Sequence, residues 1–179
     1  MNIFYLDESA EQSARYHNDS HVRKMILEYA QMLSTAHRVL DGEAYYDRGA
    51  RGQKIKRFRL LDERENVMYK TTHINHPSSA WIRQNVLHYE YVYKMFIALC
   101  DEFEYRWGKK HATDIKLRKP LYSHPRNIPI HTPVTQPPQA MEKEYMCDDA
   151  IMAYRQYYRE AKSHLASWTK REIPEWYSA

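Results

Sequence analysis

Four polar side chains crowd one short stretch, His17, Asp19, His21 and Lys24 in YHNDSHVRK. A carboxylate, an imidazole and an ammonium within about one helical turn can position a proton, so Asp19, His17 and His21 are the candidate catalytic groups. A second polar run, His73-Ile74-Asn75-His76, opens another element. There Asn75 offers an amide to base edges, and backbone N–H groups at a helix entry suit phosphate. Lys24, His73, Asn75 and His76 therefore read as ligand-binding residues. The spacings His17-x-x-x-His21 and His73-x-x-His76 also suit a transition metal held by four imidazoles. Neither carries the Glu of H-E-x-x-H, so a metal-free site is preferred and the four-histidine set His17, His21, His73 and His76 is the alternative. A plainer account makes the first cluster a capping network, with Asp19 bonding helix amides and both imidazoles solvating the end.

The elements that must carry these groups follow from periodicity. Val22, Met25, Ile26, Tyr29, Leu33, Ala36 and Leu40 recur every three or four residues, which predicts a buried helix over about 20 to 40. Asp41 and Gly42 stop it, glycine being read as a left-handed terminator. Before it, NIFYL reads as an extended segment pinned into the core, and Asp7 or Ser9 caps a short helix through ESAEQSARY. Pro77 with Ser78 or Ser79 starts a second long helix, about 78 to 107, whose stripe runs from Trp81 to Phe103 and ends at Gly108. His88 and Glu90 lie off that stripe and read as surface residues. A third helix, about 149 to 168, starts at Asp148 or Asp149 and carries Arg155, Arg159 and Lys162 as a cationic ridge. Arg155, Tyr158 and Lys162 join the candidate ligand contacts through that helix. Trp176 reads as an aromatic anchor that docks the tail.

Between the first two helices the period changes to two. KIKRFRLL and NVMYKTT, across DERE, predict a basic β-hairpin within about 49 to 72. Its Lys54, Lys56, Arg57 and Arg59 are the candidate nucleic-acid contacts, and a solvated edge guarded by lysines is the competing account. Six of the eight prolines fall in residues 120 to 140, which excludes helix there and predicts a strap or lid bearing His124, Arg126, Asn127 and His131. The expected fold is mainly α, a single-domain helical bundle over 1 to 179 with a small β-hairpin and a proline-rich strap.

Composition bounds the partners. Of 179 residues, 43% are hydrophobic and 28% charged, with four glycines and a net charge of +4. Sixteen tyrosines, four tryptophans and ten histidines beside 27 Lys and Arg favour nucleic acid or a nucleotide, since rings and cations stack and neutralise such ligands. Two cysteines are too few for a disulfide framework, the N-terminus has no basic leader, and no apolar run reaches the ~18 residues of a membrane span. A cytoplasmic protein with no membrane partner and no cofactor is expected, its oligomeric state open.

Across nearly its full length the sequence resembles a group of uncharacterised proteins encoded by tailed bacteriophages. The likeness is carried by YHNDSHVRKMILEYAQML, THINHPSSAW, NIPIHTP, YRQYYREAK and WTKREIPEWY. More distantly, over about residues 1 to 40 and 73 to 110, the layout is similar to the phage pyrimidine-dimer DNA glycosylase (endonuclease V) family. That resemblance implies a helical core, a flipped nucleotide, attack at C1′ by the N-terminal amine, and an assisting carboxylate on the first long helix, for which Asp19 is the match, one methylene shorter than the family's Glu. The family exposes its amine by removing Met before a small residue. Here Met1 precedes Asn2, too large for efficient removal.

The favoured expectation is a phage nucleic-acid or nucleotide handling protein, N-glycosidase-like, in the infected bacterial host cell. The alternatives are a non-catalytic binder that sequesters a nucleotide signal of host immunity, and a His-ligated metal-dependent hydrolase.

Overall fold

A computed structural model describes residues 1 to 178. The chain is mainly helical. Its helices are α1 (Ala10–Tyr16), α2 (Asp19–Asp41), α3 (Arg64–Val67), α4 (Pro77–Ile82), α5 (Val86–Trp107), α6 (Ala112–Leu117), α7 (Ala150–Glu160) and α8 (Glu175–Ser178), and β1 (Glu43–Arg48) pairs with β2 (Lys54–Arg59). The stripe of α2 is buried as its spacing predicts, from Val22 through Ala36. It packs on α5, which also covers α1, while α4 lies across α2. Ile3, Phe4 and Leu6 fill the same core from an extended segment, whose Phe4 amide donates to Tyr29 Oη at 3.2 Å and whose Leu6 amide donates to Ser13 Oγ at 3.1 Å.

Several expected boundaries shift, each for a long-range reason. The hairpin runs over 43 to 59, antiparallel with Tyr46 opposite Lys56, and its turn is closed by the Gly49 amide donating to Gln53 O at 2.8 Å. NVMYKTT is not a strand. Its first two residues, Asn66 and Val67, close the short helix α3, at whose start the Asp62 carboxylate accepts from the Arg64 amide at 3.1 Å. The rest is held as irregular chain by Arg38, whose guanidinium donates to the carbonyls of Tyr69 at 2.7 Å, Met68 at 2.9 Å and Phe58 at 3.1 Å, and to Glu65. Gly42 ends α2 with φ at −101°, not in the left-handed region. It is required instead by close approach: a Cβ there would sit 2.5 Å from Arg38 O and 2.8 Å from Arg59 O.

The second long helix is broken between α4 and α5. At the break Asn85 caps α5 by accepting from the Leu87 amide at 2.8 Å, and its side-chain N–H donates to Thr132 O at 2.6 Å, while Val86 donates to Pro129 O at 2.9 Å. The Pro-rich residues thus supply partners for the groups the break exposes. His88, expected on the surface, is buried; it stacks on Trp81 at 4.0 Å, bonds Trp81 O at 2.9 Å and accepts from the Thr135 amide at 3.0 Å. The third helix stops at Glu160, short of 168, and the chain turns so that Ser167 and Thr169 reach Asp19. No helix is long and apolar enough to cross a membrane among the described residues.

Candidate functional site

The first turns of α2 and the N-terminal segment enclose a cleft of about 330 Å³, lined among others by Met1, Phe4, His21, Lys24, Glu28 and Lys162. That volume lies at the small end of the ~300–1,000 Å³ typical of ligand sites. Its central feature is the Met1 amine, 3.7 Å from Glu28 Oε2. Glu28 Oε1 is 3.3 Å from Lys24 Nζ, an i,i+4 pair on α2, while Oε2 is buried with no hydrogen-bond partner among the described residues. Lys162, just beyond α7, reaches the cleft with its ammonium 4.7 Å from the Tyr157 ring centre. Three cations and one carboxylate therefore line the cleft, a balance suited to an anionic ligand.

His21 enters this cleft as a neutral donor. Its Nδ1 lies 2.5 Å from Tyr158 Oη and 3.5 Å from the side-chain nitrogen of Asn18. An amide N–H only donates, so Nδ1 is the acceptor and the proton sits on Nε2. Phe4 stacks on the ring at 4.2 Å. Burial, with His17, Lys24 and Lys162 adding, lowers its pKa to about 3. His17 is deeper still: its Nδ1–H donates to Ser13 O at 2.7 Å, Nε2 has no partner, and burial lowers its pKa to about 4. At neutral pH both rings are uncharged.

Asp19 lies outside the cleft. Its carboxylate accepts from Ser167 Oγ at 2.7 Å, Thr169 Oγ1 at 2.8 Å, the Thr169 amide at 3.0 Å and Arg106 at 3.0 Å. Burial acts to raise its pKa, but these donors outweigh it and hold it below the usual carboxylate value. The cap of α2 is Asn18, whose Oδ1 accepts from the His21 amide at 2.8 Å. Asp19 thus ties the tail to α2.

The second cluster stands beside the cleft without lining it. His76 caps α4, its Nδ1 accepting from the Ser78 amide at 3.2 Å; burial, then the Met1 amine and His73, lowers its pKa. His73 and Asn75 are exposed, and His73 sits at φ 46° with its ring bonded to Thr72 Oγ1 at 2.7 Å. Tyr158 is buried as the partner of His21. Arg155 is committed elsewhere: it donates to Leu6 O at 2.9 Å, pairs with Asp7 at 3.4 Å and lies over Tyr16 and Trp176. Of the Pro-rich residues, His124 and Arg126 line a different hollow of about 500 Å³ around His37 and Arg64. Lys54, Lys56, Arg57 and Arg59 stand on the hairpin. Among the described residues no group of three or more His, Cys, Asp or Glu side chains is placed to hold a metal ion.

Sequence reasoning missed Glu28; the N-terminal amine entered only through the resemblance, with the retained Met1 counted against it. The one available signal for Glu28 was its i,i+4 spacing from Lys24 at the border of the apolar stripe. Comparison with protein-family models, curated proteins and solved structures finds no match.

Proposed function

We propose that the protein is an N-glycosidase-like enzyme that handles nucleic acid during phage infection, acting on a nucleotide held in the Met1–Glu28 cleft. The phage setting and the bacterial cytoplasm rest on the sequence resemblance; the chemistry rests on one observation, an α-amine 3.7 Å from a carboxylate whose facing oxygen has no hydrogen-bond partner. In a chain that begins at Met1, Glu28 takes a proton from the amine, and the nitrogen lone pair attacks C1′. The C1′–N bond breaks, its electron pair leaving with the base, which takes a proton from solvent. As the sugar ring opens, Glu28 returns a proton to O4′ and the nitrogen sheds one, leaving a protonated imine to C1′. Lys24 and Lys162 hold the adjoining phosphate, and His21 Nε2–H donates to a sugar or base oxygen. Glu28 takes the place that the resemblance gave to Asp19.

Borohydride tests this directly, because hydride addition to the imine carbon makes a stable secondary amine. Incubation with an abasic duplex, and in parallel with a duplex carrying a modified base, in the presence of borohydride should give a DNA adduct on the Met1 peptide, located by mass spectrometry. Glu28→Gln should slow adduct formation by about 10²-fold or more with little change in melting temperature. Base release without an adduct would replace the amine by water as nucleophile. Binding with neither product would leave the nucleotide-sequestering reading, which uses the same cations.

A further inference from the structure

Cross-strand partners in an antiparallel pair share a face, so the register of the hairpin sorts its side chains into two sets. One face carries Glu43, Tyr45, Asp47, Ile55, Arg57 and Arg59. It mixes two acids with its cations, and Arg57 is spent on Thr71 O at 2.6 Å. The opposite face carries Ala44, Tyr46, Arg48, Lys54, Lys56 and Phe58: three cations, two rings and no acid. Arg48, Lys54 and Lys56 are exposed, and none makes an ion pair among the described residues. Tyr46, 62% exposed, lies under the Lys54 ammonium at 3.9 Å, and Phe58 lies under that of Lys56 at 5.3 Å. The rings hold the lysine stems flat, which keeps both charges on this face.

We propose that this acid-free face of the hairpin is a docking surface for duplex DNA, with Arg48, Lys54 and Lys56 on the phosphates. The charge is complementary to a polyanion and to nothing else on that face. A ribbon of two strands ~4.8 Å apart also fits the ~12 Å major groove. Arg57 and Arg59 lie on the other face and take no part. The surface shares the nucleic-acid reading above but none of its cleft residues, so its failure and that of the cleft are separate results.

The test is fluorescence anisotropy of a labelled 20-base-pair duplex over a range of NaCl concentrations. Arg48→Ala/Lys54→Ala/Lys56→Ala should weaken binding by more than about tenfold and flatten the log–log salt slope by roughly 2.7, at about 0.9 per phosphate contact. An equal-charge control, Arg59→Ala/Lys109→Ala/Lys110→Ala, should stay within about twofold of the parent. Single changes Lys54→Gln and Lys56→Gln, each flattening the slope by about 0.9, give the same reading if the triple variant folds poorly. An unchanged slope, an equal loss in the control, equal affinity for a single strand of the same length, or equal affinity for anionic vesicles would each overturn the proposal.

Discussion

Asp19 and Glu28 sit on the same helix in opposite circumstances. Asp19 is the more conspicuous in sequence, beside two histidines, yet every donor within reach already uses it. Glu28 sits among Leu27, Tyr29 and Ala30 and looks structural, yet one of its oxygens is buried with only an amine to face. Satisfaction separates them: a carboxylate with four donors has no lone pair left for a substrate proton. Asp19→Asn should therefore act on stability first, because buried Arg106 would lose one of its two charged partners, keeping only Glu102 at 3.1 Å, and the new amide N–H would face other donors. A loss on the order of 3 kcal/mol in urea unfolding is expected. Unchanged stability with lost turnover would instead return Asp19 to a catalytic role.

At the scale of elements, irregular chain is fastened by buried arginines. Arg38 collects carbonyls from residues 58 to 69, and Arg106 donates to His17 O at 2.9 Å and Arg15 O at 3.0 Å, so the ends of the short connections find side-chain donors. Helix ends follow sequence rules where the rule is local. Gly108 closes α5 at φ 67°, its amide donating to Glu104 O at 2.7 Å, with nothing within 4 Å of an added Cβ. Gly108→Ala should cost about 1 kcal/mol through the backbone alone, and Gly108→Asn less, as read by thermal melting. At Gly42 the same change is steric, and it would displace the hairpin from α2.

Across the whole molecule, acid should unfold the protein through its histidines. His17, His21 and His37 are buried, with pKa values lowered to about 4, about 3 and about 4. For His37 burial is the main cause, with Arg64 adding; Arg64 only donates, at 3.0 Å to Nδ1, so Nε2–H faces Tyr89 Oη at 2.8 Å. The unfolded chain binds protons on these rings below its ordinary value of 6.5, while the folded chain does not. Stability contributed by each neutral ring is thus complete above about pH 6.5 and falls as pH drops toward 4, by up to about 1.4 kcal/mol per pH unit per ring. Urea midpoints at pH 7, 6 and 5 should decline steadily, and a flat profile would mean that the rings protonate in place.

The sequence by itself determined what depends on near neighbours: the helical period of residues 20 to 40, a cap at Asp148 or Asp149, which the structure gives to Asp149, the glycine stop at 108, and a core built from the stripes and the N-terminal segment. It also placed a polar cluster at the start of α2, because polar groups before a buried stripe are visible in any order of folding. Only the tertiary structure decided which of those groups face a cleft. Residues far apart in the chain supply the partners: Ser167 and Thr169 occupy Asp19, Tyr158 bonds the ring of His21, and the packing of residues 1 to 6 brings the Met1 amine to Glu28. The break before α5 and the pairing of β1 with β2 belong to the same class. Periodicity records which face is apolar, but hydrogen-bond satisfaction is a property of distant partners, and no local pattern carries it.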